Sequence, residues 1–490
     1  MSNLKILNKY IPVLLATLLL LLSCKKSGSS YMAGKDETYN PFVANSVDRD
    51  WDEIKEDGIL RAMVVYSSTS YFLYKGEPMG FEYELLQRLA KELDLELELI
   101  VSKDLDAEFE VLNRGDVDLI AHGMTVTKQR QWEVDFTEYL YLTKQVLVQK
   151  KPDNFLQISW KELENSLIHD PIELINDTIS IRKNSAYYER LQSLSNEIGG
   201  DIIIDSLDSS LSTGEIIHMV SDGKIKYTIA DENLARINAS DRINLDINVP
   251  ISFSQRISWV TRKKSPEFKK LLDSWILSQR KTTDFNVIYN KYFKNKRTFK
   301  NRSKSDYYSL ANNQISAYDK YIKSHAKKLD WDWRLLASQV YQESKFDPKA
   351  TSWTGAQGLM QLMPRTAESL DVKDPTIPEE SLRAGTTYLK KLYDQFEHIP
   401  DSINRIKLTM AAYNCGFGHI TDAQKLAEAN DLDPFTWHGN VDEMLLALSY
   451  PSNYKKEYIK HGYVRGTEPV NYVNQIMDRY GQYKQFIAVD

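Results

Sequence analysis

The tightest constraint on how this chain folds is a change of hydrophobic period near residue 295. Before it, short β-rich apolar runs alternate with helical spacing; after it, only helical spacing is left. Gly58-Ile59-Leu60-Arg61-Ala62-Met63-Val64-Val65 reads as a buried strand, and Phe81, Leu85, Leu86 and Leu89 fall on one helical face. Leu95–Ile100 alternates as a strand with one solvated face does. A helix around Phe109–Asn113, a Gly115-Asp116 turn and the strand Val117–Ile120 follow. The pattern restarts at Thr178–Ile181, continues at Tyr227–Ala230 and Ile257–Val260, and closes with a helical segment from Pro266 to Tyr292. Such alternation predicts α/β lobes built on parallel sheets.

Lys294–Lys304 is strongly basic. A contact with anionic lipid or wall polymer is one reading, but a solvated interdomain linker is the favoured one, because charge runs of this kind are usually exposed. Beyond it Tyr318, Tyr321, Ile322, His325 and Leu329 share one stripe. Further helices are predicted at Trp333–Glu343, Ala384–Phe396, Ile403–Tyr413, Met444–Leu448 and Pro469–Phe486. The second half is therefore all-α, and 490 residues exceed one ordinary core, so separate domains are required.

Lys5 and Lys9 precede an apolar run, Ile11–Leu22, that is too short to span a bilayer comfortably and suits a signal peptide. It ends in Leu21-Leu22-Ser23-Cys24, which resembles a bacterial lipobox. That resemblance implies a lipidated Cys24, and Lys25 in place of Asp implies an outer-membrane destination with the protein on the periplasmic face. The domain plan is a signal peptide over 1–23, a tether over 24–50, a sensor over 51–295, a linker over 296–312 and a helical domain over 313–490. The only other cysteine is Cys415, so an acylated Cys24 leaves no pair for a disulfide. A net charge of -6 gives no sign of bulk nucleic-acid binding.

Asp332 is a plausible N-cap for the segment Trp333–Ser344. Leu336, Val340 and Glu343 recur at i, i+4 and i+7, which places Glu343 on the inward-packing face. A carboxyl carried into apolar surroundings has its pKa raised and stays protonated near neutrality, as a proton donor to a glycosidic oxygen must. On spacing alone, a solvated Glu at a helix end is the commoner case.

The sequence that follows changes this balance. Glu343-Ser344 precedes Gly358-Leu359-Met360-Gln361; Ala412-Tyr413-Asn414 comes with Gly416 and Gly418; Glu468-Pro469-Val470-Asn471-Tyr472-Val473 comes last. Four motifs in this order resemble the soluble-lytic-transglycosylase-like family. The resemblance implies a lysozyme-like helical fold and cleavage of the β-1,4 bond between N-acetylmuramic acid and N-acetylglucosamine. One carboxyl, Glu343, then serves as acid and base, giving a 1,6-anhydro end without water, metal or cofactor. By position, Ser344 would hydrogen-bond Glu343, Met360 and Gln361 would line the cleft floor, Tyr413 and Asn414 would orient the carboxyl or hold sugar, and Tyr472 would bond near Glu343. Asp347 reads as a turn residue before Pro348, and Cys415 as packing. A water-using muramidase and a non-catalytic glycan-docking receptor are the alternatives.

In the first half, Gly115–Ile120, Met124–Arg130 and Val134–Thr137 resemble periplasmic solute-binding domains that recognise amino acids. The resemblance implies that Arg130 clamps a ligand carboxylate, with Thr125 as a hydroxyl or backbone partner and Asp231 on the ligand ammonium. Asn184-Ser185 departs from the usual Gly-Ser turn. An Arg130–Asp135 surface pair and a helix-capping Asp231 are the non-functional alternatives. A sensor ahead of a lytic domain resembles the membrane-bound lytic transglycosylases, with peptidoglycan strands as substrate and an amino acid or muropeptide as sensor ligand.

Overall fold

The computed structural model describes residues 45–102, 107–310 and 312–489. The signal segment, Cys24 and most of the tether lie outside the described residues.

Two five-stranded sheets form the two lobes of the first half. In the first, β1 (Ile59–Val65) lies between β4 (Glu96–Ser102) and β5 (Leu119–Thr125), followed by β12 (Gln255–Thr261) and β6 (Asp135–Thr143). In the second, the order is β11 (Leu245–Asp246), β7 (Gln145–Lys150), β10 (Tyr227–Asp231), β8 (Thr178–Arg182) and β9 (Ile203–Leu207). A two-stranded hairpin, β2 (Phe72–Tyr74) with β3 (Glu77–Met79), projects from the first lobe.

The expectation of parallel sheets needs correction. β1 pairs parallel with β4 and β5, and β8 with β9 and β10, but β12 runs antiparallel to β5 and β6, and β7 antiparallel to β10. The cause is the lobe crossing. Only Lys144 separates β6 from β7, so the chain passes directly from one sheet into the other and returns later as β12. Strands that arrive this way have no crossover helix, which only parallel neighbours require.

Both faces of the first sheet are covered. Leu60, Ala62 and Val64 join one buried cluster with Phe81, Leu85 and Trp259, whereas Met63 joins another with Leu112 and Val260. The helices Phe81–Leu93 and Pro266–Gln279 cover the first of these faces, where Trp259 stacks on Trp275 with centroids 6.1 Å apart. Burial on both faces explains why β1 reads as a nearly continuous apolar run.

The basic segment is not a solvated linker. Lys296–Ser303 is a helix with Phe299 and Arg302 buried, and the Arg302 guanidinium lies 4.4 Å from the Phe72 ring centre. Its lysines face water while one arginine is driven inward, where aromatic faces receive a guanidinium better than an ammonium.

Among the described residues no strand follows Thr261. The helices Asp319–Leu329, Trp333–Ser344, Pro378–Gln395, Ser402–Cys415, Phe417–Glu428 and Thr467–Phe486 share one hydrophobic core. Ile322, His325 and Leu329 are buried as their stripe predicts, but Tyr321 is exposed. Helix Trp333–Ser344 packs on Thr467–Phe486, and Asp332 caps it by accepting from the Arg334 amide at 2.9 Å. The last turn of Thr467–Phe486 meets the first lobe: the Tyr483 hydroxyl donates to the Gly76 carbonyl at 2.7 Å, and Phe486 stacks on Tyr66 at 4.3 Å.

Candidate active site and sensor cleft

Glu343 occupies the last turn of helix Trp333–Ser344, above the fully buried Leu336 and Val340. The helix stops because Lys345 and Phe346 both take left-handed backbone angles, φ 51° and 62°. The chain turns away at once and leaves the Glu343 side chain at the helix end. Loss of water around the carboxyl pushes its pKa up to about 8, opposed only by a hydrogen bond from the Tyr472 hydroxyl to Oε1. Gln339, one turn earlier on the same face, donates from Nε2 to the Tyr472 oxygen at 3.2 Å. Gln339 was not singled out in the sequence, although its i, i+4 relation to Glu343 was a usable signal.

Tyr413 stands beside this pair. Its hydroxyl donates to the Met360 carbonyl at 2.7 Å, and burial next to Glu343 raises its pKa well above that of an ordinary phenol. Asn414 is exposed at the end of helix Ser402–Cys415.

Two expected roles differ. Ser344 does not bond Glu343; its hydroxyl donates to Val340 O at 3.1 Å and to Leu359 O at 3.0 Å, tying the catalytic helix to the Gly-Leu-Met-Gln loop. The Met360 side chain is fully buried against Gly385, so this residue offers its carbonyl to Tyr413 and no surface to a cleft floor. Gln361 holds the loop closed, donating from Nε2 to Ala350 O and Gly358 O, each at 3.0 Å. Gly358 is required there: at φ 81°, a Cβ would lie 1.9 Å from the Pro375 carbonyl oxygen. Asp347 is exposed and accepts the Lys349 amide at 2.9 Å, as a turn residue does. Cys415 is packed, its thiol pushed up to about 12 by burial, so it is not a nucleophile.

A second site lies between the lobes, a cleft of about 1030 Å³. Arg130 lines it, donating from Nη1 to Thr125 O at 3.2 Å and from Nη2 across the cleft to Asn184 O at 3.4 Å. The surface-pair alternative fails, because Asp135 bonds Lys263 at 3.1 Å instead. Asp231 begins helix Glu232–Asn238 but makes no side-chain cap. It is buried in the cleft wall, and desolvation raises its carboxyl pKa to about 7 against the pull of Arg130. Asn184 sits at φ 58°, a left-handed turn that Asn tolerates where Gly is usual. Glu108 and His122, bonded to each other at 2.9 Å, also line the cleft and were not picked out in the sequence.

Comparison with known proteins bears on both sites. The Transglycosylase SLT domain model matches residues 320–435, and the model for bacterial extracellular solute-binding proteins, family 3, matches residues 60–295. The chain is 32% identical over 437 residues to a protein of Desulfosudis oleivorans named membrane-bound lytic murein transglycosylase F, covering 89% of this chain and 92% of that one. A protein of the same name from Stutzerimonas stutzeri is 31% identical, with 88% and 85% covered. Among solved structures, the amino acid ABC transporter substrate-binding protein AbpA from Streptococcus pneumoniae is 19% identical, with TM-score 0.42, covering 50% of this chain and 98% of that one. Two-domain agreement along nearly the whole length of these relatives places the chain in the family of membrane-bound lytic murein transglycosylases F.

Proposed function

We propose that this peptidoglycan lytic transglycosylase works through a single carboxyl, Glu343, and releases 1,6-anhydromuropeptides. The observation that carries the reading is the desolvated Glu343 carboxyl, at about 8, with the Tyr472 hydroxyl donating to it. Protonated at neutral pH, Glu343 gives its proton to the oxygen between N-acetylmuramic acid and N-acetylglucosamine as the C1–O bond breaks. The carboxylate left behind accepts the Tyr472 hydrogen bond and then takes the proton of the muramoyl C6 hydroxyl. That oxygen closes onto C1 and Glu343 returns to its acid form. A hydrolase would need a second carboxylate to activate water, whereas this route returns the proton to Glu343 itself. Tyr413 and Asn414 flank the sugar next to the scissile bond, and Ser344 and Gln361 hold the loop beside it.

Mass spectrometry of digested wall tests this. Anhydro ends, lighter by one water than reducing ends, are expected, and reducing ends alone would point to a muramidase. Binding of glycan without any cut would leave only a docking receptor.

In the sensor, Arg130 takes the carboxylate of an amino acid or wall fragment, and Asp231 its ammonium, with the Thr125 carbonyl holding the guanidinium in place. Arg130→Ala is expected to abolish the binding heat. Attachment to the outer membrane is assigned to a lipid on Cys24. The relatives are named membrane-bound, and no helix among the described residues is long and apolar enough to cross a bilayer. Cys24→Ser should move the protein from the membrane to the soluble fraction.

A further inference from the structure

Trp353 is 98% exposed, more than any other large hydrophobic side chain among the described residues, and the chemistry above gives it no role. An isolated exposed apolar residue is ordinary on a protein surface. This one stands on a built turn. Ser352–Gly355 is a β-turn with Trp353 in its second position, closed by the Gly355 amide donating to Ser352 O at 3.0 Å. The Ser352 amide donates to Ala356 O at 2.9 Å, and Ser352 Oγ accepts the Ala356 amide at 2.9 Å. Below the turn Thr351 bridges to Gln357, and Gln357 to Leu362. The backbone on both sides of the indole is thus fixed, and almost none of the ring touches the protein.

The turn shares a hydrogen-bonded frame with the catalytic carboxyl. Ala350 O accepts from the Gly358 amide and from Gln361 Nε2, each at 3.0 Å, and Leu359 O accepts from Ser344 Oγ at 3.0 Å. Ser344 adjoins Glu343, and Trp353 lies three residues beyond Ala350, at most about 10 Å of chain. The indole is therefore held close to the loop that packs against Glu343.

Its surroundings suit a sugar. The Ser352 and Thr354 hydroxyls, 2.8 Å apart, flank Trp353 in the chain. Pro364 lies 3.9 Å from a Cβ placed on Gly355, and Met363 before it is half exposed. A β-linked pyranose presents C–H bonds on its faces and hydroxyls at its rim. The negative face of an indole attracts the first, and side-chain hydroxyls bond the second. A lipid surface calls for a broad apolar face instead.

We propose that Trp353 is a sugar-stacking platform that holds the glycan strand beyond the sugars joined by the scissile bond. This rests on a glycan strand being the substrate and extends the site along it. The platform fixes where the strand lies and takes no part in proton transfer, so it acts on binding.

Kinetics on the full chain use purified, uncrosslinked glycan strands. Trp353→Ala is expected to raise KM about tenfold, as the loss of one stacking contact does, with kcat changed less than about twofold. Trp353→Tyr, which keeps a flat ring, should recover most of the loss. In the Glu343→Gln background, where strands bind uncut, adding them should shift the tryptophan emission, and Trp353→Ala should remove that shift. Parent-like KM in Trp353→Ala would overturn the platform and leave the function of Glu343 standing. A fall in kcat without a rise in KM would overturn it too, because the turn then acts only by supporting the loop. Weaker binding to vesicles of phosphatidylethanolamine and phosphatidylglycerol, with KM unmoved, would assign the indole to a lipid surface. Strands neither cut nor bound by the parent would overturn the glycan reading itself.

Discussion

The Tyr472 hydroxyl donates to Oε1 of Glu343, and Gln339 donates in turn to the Tyr472 oxygen. Burial raises the Glu343 pKa and this bond lowers it, because a donor favours the carboxylate. Tyr472→Phe removes the opposing effect. The basic limb of the pH–rate profile is expected to move to higher pH, and kcat to fall about 10- to 100-fold, since the carboxylate formed after bond cleavage loses its donor. A limb that stays put, or moves down, would show that Tyr472 acts only as packing.

Glu343→Gln keeps shape and removes the proton. Activity should drop by about two to four orders of magnitude. Stability responds in a defined window. The folded-state pKa, about 8, lies above the ordinary 4.5 of a glutamate, so the folded protein holds the proton more tightly. The stabilisation this gives is full below pH 4.5 and is lost as pH rises through about 8. Thermal unfolding should therefore show Glu343→Gln gaining on the parent between pH 5 and pH 8, with the largest difference at the alkaline end. A constant difference across the range would mean that the carboxyl is not held protonated.

Glu343 was legible because two independent signals met on it: helical spacing with Leu336 and Val340, and its place among ordered motifs. Tyr472 was legible only through the motif order, since it lies 129 residues away and nothing local marks its partner. Ser344 and Met360 were expected to meet the carboxyl and the cleft floor, and they make other contacts. A motif fixes which residues gather, whereas whether a hydroxyl meets a carboxyl or a carbonyl depends on rotamers set by packing. The lobes were legible from alternating periods, but strand direction was not, because it depends on the crossing at Lys144. Arg302 was lost inside a charge run: composition describes the segment's average, and of its basic residues this one turned inward. Glu108 and His122 were hidden because they meet across separate elements, the helix Glu108–Arg114 and β5.

The Ser344 hydroxyl ties the helix to the loop at Leu359 and donates to carbonyls, not to the carboxyl. Ser344→Ala should cost about 1 kcal/mol in urea unfolding. It should lower kcat modestly while leaving the pH limb of Glu343 where it was. A shift of that limb would restore the direct bond to Glu343 that the motif suggested.

Arg302 offers the sharpest test of how the basic segment is held. Its guanidinium lies 4.4 Å from the Phe72 ring centre and 5.9 Å from that of Tyr308, and Nη2 reaches Ser68 O at 3.3 Å. Burial pulls its pKa below the ordinary arginine value, so charge at this position costs solvation that the rings and one carbonyl must offset. Truncation to Ala opens a cavity among Phe72, Phe299 and Tyr308 and should cost about 3 kcal/mol. Arg302→Met fills the same space without a charge to desolvate and should cost less than half as much. If packing dominates, urea midpoints fall in the order parent, Met, Ala, with Met close to the parent. If the cation over the rings dominates, Met and Ala fall together. If the segment were a solvated linker, neither change would move the midpoint at all, because an exposed arginine in a basic run contributes almost nothing to folding.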